Sequence, residues 1–143
     1  VVAAAAASIG IAPLEQLVVD VPETLPPIAA DPALLERSVA NVVANALRLP
    51  RSIARGDWSA LADWAPARQL DLLHKICHDL MVVVSGGLPR FFPPADLPPP
   101  PRLSALLQWQ KALQQAARTV EHPFNSGLQQ EAWAGLARSV LTP

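Results

Sequence analysis

The chain has 143 residues, 51% of them apolar and only 16% charged. That composition excludes an intrinsically disordered chain and suits one small folded domain or two smaller pieces. A net charge of -1 leaves no surplus of Lys and Arg to neutralise phosphates, so direct nucleic-acid binding is not expected. The single cysteine, Cys77, excludes an internal disulfide and fits a reducing compartment.

Taken from the start, Val1–Ile9 is Ala-rich and predicts a helix that Gly10 ends. The apolar run to Ala12 has no basic flank and falls short of the roughly 20 residues of a membrane span. The expected location is therefore cytoplasmic. Leu17–Val21 is a β-branched run closed by Pro22 and is the best strand candidate. Asp31-Pro32 reads as an N-cap followed by proline at the first helical position. The helix it opens carries Leu35, Val39, Val42, Val43 and Ala46 at helical spacing and is expected to end before Pro50. Gly56-Asp57 can cap a short helix through Trp64, and Pro66 can open the next.

Ala67–Ser85 predicts a long helix with Leu70, Leu73, Ile76, Cys77, Leu80 and Val84 on one stripe, stopped by Gly86-Gly87. Pro89–Pro101 predicts an extended, stiff loop or spacer. Leu103–Val120 predicts an amphipathic helix with Leu103, Leu106, Leu107, Leu113 and Val120 along one side. Ser126-x-x-Gln129 reads as a capping box for a last helix to Leu141. The four tryptophans are expected as core or interface anchors.

Few residues point to chemistry. His74, Cys77 and His78 stand at i, i+3 and i+4, a spacing that can gather metal ligands. A closed zinc site needs a fourth ligand, so core and cap roles are the expectation and no metal is assigned. Asp79 follows His78, but adjacent helical residues do not face each other, and no nucleophile is matched to them. Arg90, between Pro89 and Phe91-Phe92, is expected to pair with a buried carboxylate, Asp79 or Glu121, while both phenylalanines plug the core. Asn41 and Asn45 share one helix face. Their side-chain oxygens suit Mg²⁺ beside substrate phosphates, with interhelical hydrogen bonding as the alternative. No glycine-rich phosphate loop and no dinucleotide fingerprint is present.

Two family resemblances follow, one on each side of Arg48–Leu49. Val18–Pro27, Ala30–Arg37 and Asn41–Arg48 resemble the ATP-binding domain of a sensor histidine kinase of the potassium-sensing KdpD type, entering it and running through its N-box. That resemblance implies a partial α/β fragment, residues 1–48, in which Asn45 and Asn41 belong to the Mg-ATP site. The glycine-rich boxes that should follow are absent, so no cofactor is expected to bind. Leu49–Asp57, Leu73–Leu80, Pro89–Phe92, Leu106–Trp109, Glu121–Asn125 and Glu131 resemble the C-terminal collar domain of delta-prime, a subunit of the bacterial DNA polymerase III clamp loader. It implies a helical domain over 49–143 that binds the other clamp-loader subunits in DNA replication and performs no catalysis. The residues that carry this resemblance as structural or interaction positions are His78, Asp79, Arg90, Phe91, Phe92, Trp109, Glu121, His122, Asn125 and Glu131.

The expectation is thus a mainly α chain, a helical bundle with a small N-terminal α/β fragment, acting as a non-catalytic protein-interaction module. The alternatives are an ATP-binding kinase remnant and an artificial chimera without biological function. An unpaired strand in the N-terminal fragment would favour homo-oligomers.

Overall fold

The computed structural model describes residues 31–120 and 126–142. The expected helix at Val1–Ile9 and the strand at Leu17–Val21 lie outside the described residues, which take in only residues 31–48 of the expected N-terminal fragment. The described residues are mainly helical: α1 spans Pro32–Ala54, α2 Pro66–Val84, α3 Leu103–Ala117 and α4 Ser126–Leu141. The chain divides into two compact units, Val1–Leu47 and Arg48–Pro143.

Helix α1 starts as its sequence dictates. Asp31 accepts the Ala33 N–H on its carboxylate at 2.9 Å and the Leu35 N–H on its carbonyl at 3.0 Å, which caps donors that Pro32 does not add to. The expected end before Pro50 is wrong: Pro50 lies inside the helix, which continues to Ala54. An interior proline removes one helical donor and crowds the preceding turn, at about 3 kcal/mol. Burial offsets this, because Pro50 and Ile53 are fully enclosed and Leu49 nearly so. The apolar stripe expected at Leu35–Ala46 is not a buried face either. Leu35 and Val42 are exposed, Val42 at 68%, and Ala40 is the buried residue of that part.

Helices α1 and α2 end in the same device. After α1, the Gly56 N–H reaches Ile53 O at 2.9 Å and the Asp57 N–H reaches Ser52 O at 2.9 Å. After α2, the Gly86 N–H reaches Val83 O at 3.0 Å and the Gly87 N–H reaches Val82 O at 2.9 Å. Each is a Schellman closure, and each needs its glycine at positive φ, +82° at both Gly56 and Gly86. The short helix expected from Gly56 to Trp64 is a single 3-10 turn, Ser59–Leu61. Asp57 opens it by accepting the Ser59 hydroxyl at 2.6 Å and the Ser59 N–H at 3.1 Å. These bonds, the hydroxyl first, hold the Asp57 carboxyl below its ordinary range.

The core of the second unit is built from Ile53, Leu61, Leu70, Leu73, Ile76, Leu80, Leu106, Trp109, Leu113 and Ala137. Helix α2 packs mainly on α3, and α3 on α4. The stripe expected on α2 is buried except at its end, whereas the one expected on α3 is rotated. On α2, Val84 is exposed while the rest of the stripe is buried. On α3 the buried positions are Leu106, Trp109 and Leu113, whereas Leu103 and Leu107 are 42% and 46% exposed and Val120 lies past the helix end. Trp109 has the most apolar area to hide, and it sits three residues from Leu106 and four from Leu113, so this seam wins over the leucine pair. On α4, Trp133, Ala137 and Leu141 repeat every fourth residue and are buried. The capping box expected at Ser126 rests on a side chain outside the described ones.

The Pro-rich segment is no free spacer. It holds a 3-10 turn at Pro94–Asp96 and buries Pro89, Phe92, Leu97 and Pro98. No helix among the described residues is long and apolar enough to cross a membrane.

Candidate interaction site around Asp79

Asp79 sits in the last third of α2 with no accessible surface. A buried carboxylate must find donors or cost several kcal/mol. Three consecutive backbone N–H groups supply them. Arg90 donates to Oδ1 at 2.9 Å, Phe91 to Oδ2 at 2.7 Å and Phe92 to Oδ2 at 2.8 Å. Successive N–H groups turned inward form a concave anion cradle. Here the anion is the protein's own side chain, so the cradle ties the Pro89–Phe92 loop to the helix.

For Asp79 the expected pairing with the Arg90 side chain is therefore corrected. Asp79 is the partner of Arg90, but through the backbone: the guanidinium forms no ion pair among the described residues and stands 5.5 Å from the Phe91 ring centroid. Glu121, the other candidate partner, lies outside the described residues. The two phenylalanines also part company. Phe92 is buried in the core, as expected, whereas Phe91 is only half-buried and borders the surface.

His78 and Asp79 do meet, against the expectation from their adjacency. Nδ1 of His78 is 3.1 Å from Oδ1 of Asp79, because the half-exposed imidazole folds over the loop that Asp79 gathers. The Phe91 ring meets the His78 ring edge-on, at 5.4 Å and 72°. Lys75, which no sequence motif singles out, lies 5.7 Å from the Phe91 centroid and pairs with Asp71 at 2.7 Å. The Asp71/Lys75 spacing of four residues was a legible signal for that pair. Beside Phe91 runs an open groove of about 290 Å³ bordered by His74, Lys75, Cys77, His78, Met81 and Gln110, among others.

The arrangement does not build a nucleophile. The Cys77 thiol is buried, donates to Leu106 O at 3.6 Å, and is pushed up to about 11 by desolvation, the reverse of what activates a cysteine. Among the described residues no three His, Cys, Asp or Glu side chains converge as they would around a metal.

The other sequence-derived positions scatter. Trp109 is a core residue whose Nε1–H has no partner among the described residues. Glu131 is exposed on α4, and Asn41 and Asn45 are exposed on α1. Glu121, His122 and Asn125 lie outside the described residues. Sequence reasoning misses Gln69, which is buried and donates through Nε2 to Leu61 O and Trp64 O at 3.0 and 2.9 Å, closing the 3-10 turn onto α2. Nothing in its spacing announces this, since it depends on where the preceding loop turns.

No protein-family model, no curated protein and no solved structure matches the chain.

Proposed function

We propose that Arg48–Pro143 is a non-catalytic protein-interaction module of the clamp-loader collar kind. The observation that carries this reading is the Asp79 clasp. It joins two stretches that resemble delta-prime, Leu73–Leu80 and Pro89–Phe92, through three short hydrogen bonds. The clasp fixes Phe91 half out of the core with Lys75 and Arg90 near its ring. A rigid aromatic flanked by cations is the kind of anchor that protein interfaces favour.

Pull-down of a bacterial clamp loader reconstituted without delta-prime tests it. Retention of the chain is expected, with Phe91→Ala weakening it by about 2 kcal/mol, the scale of an interface hot spot. No retention of the unmodified chain overturns the reading.

A further inference from the structure

We propose that His74 and His78 form a two-imidazole site for a divalent transition metal of the zinc type, a proposal independent of the collar reading. The two residues stand one turn apart on α2 and both border the groove beside Phe91. Side chains four apart on a helix lie one above the other, within reach of one ion bonded at about 2.0–2.1 Å to each ring nitrogen. Cys77, the third member of the sequence triplet, takes no part because its thiol is buried against α3.

What distinguishes the pair from two surface histidines is the setting of His78. Its Nδ1 faces Oδ1 of a buried carboxylate that already gathers three N–H groups. Such an oxygen accepts, so in the neutral imidazole the proton sits on Nδ1 and the lone pair on Nε2. A carboxylate holding the far nitrogen is how metal-ligating histidines are oriented and made more basic. The edge-on Phe91 ring limits the imidazole's rotation. Lys75, the cation on the turn between the two histidines, is paired with Asp71 at 2.7 Å, which reduces its repulsion of a dication. With two protein ligands the ion keeps positions open to water or to a donor from another molecule, unlike a closed structural zinc site.

The test is a titration of the full, untagged chain with zinc chloride at neutral pH, read by competition with a chromogenic chelator. One zinc per chain at micromolar affinity is expected. His74→Ala and His78→Ala should each weaken binding by about tenfold or more, and His122→Ala should leave it unchanged. Both positions are partly exposed on a helix where alanine is well tolerated, and circular dichroism verifies the fold of each variant. Nitrogen-15 NMR of the unmodified chain gives a second readout: zinc should shift Nε2 of His78 while Nδ1 keeps its proton. No competition up to millimolar zinc, binding indifferent to both substitutions, binding removed by His122→Ala instead, or zinc on Nδ1 of His78 would each overturn the proposal.

Discussion

At the scale of single residues, Asp79 and Cys77 are both buried on α2 and impose opposite demands. Asp79 is an acceptor for three N–H groups. In Asp79→Asn the amide oxygen replaces only one of the two accepting oxygens, and the NH₂ turns a donor toward donors. The substitution is expected to cost on the order of 3 kcal/mol, read as a lower urea midpoint at unchanged slope. A midpoint within experimental scatter of the parent would show that the clasp adds nothing to stability. Cys77 is a thiol held in its neutral form. With the folded value raised from 9.0 to about 11, its contribution to stability is complete below pH 9 and is lost as the pH climbs toward 11, because the unfolded chain releases the proton first. Stability should therefore fall over that window, and Cys77→Ala should flatten the fall. Alkylation of the native thiol at pH 8 should be far slower than in denaturant.

At the scale of elements, the glycines make the sharpest contrast. Gly86 needs a positive φ, so Gly86→Ala should destabilise by about 1 kcal/mol. Gly87→Ala should cost more, since its new Cβ would meet Val82 Cγ1 at 2.8 Å and Val82 O at 3.3 Å. Gly135 lies inside α4, and a Cβ added there would have nothing within 4 Å, so Gly135→Ala should stabilise by about 0.5–1 kcal/mol. Thermal melts of the three variants check the order. Helix boundaries were legible wherever one residue's backbone chemistry decides them: Asp31-Pro32, Pro66 and Gly86-Gly87 all act as their types require. They were illegible where packing decides. Pro50 stays helical because the core encloses it, and α3 turns Trp109 inward at the expense of Leu103 and Leu107. The site divides in the same way. Asp79, Arg90 and Phe91-Phe92 were recognisable as a group, but use of the Arg90 backbone in place of its guanidinium depends on how the loop folds back.

At the scale of the whole molecule, every buried apolar residue described, apart from Ala40, lies at or beyond Leu49. The second unit thus holds nearly all of the described core. A fragment beginning at Arg48 is expected to unfold cooperatively by itself, with its fluorescence and circular dichroism transitions coinciding in urea. Transitions that separate, or a fragment without helical signal, would show that the first unit is required for the second to fold.

The three N–H groups on Asp79 also set how the loop opens. Arg90 bonds one oxygen and Phe91 and Phe92 the other, so three consecutive amides share one rigid carboxylate and turning one outward strains the bonds of its neighbours. Their amide protons should exchange with solvent as one group, with a common opening free energy, although Arg90 carries an exposed side chain in a loop where fast and unequal exchange is the rule.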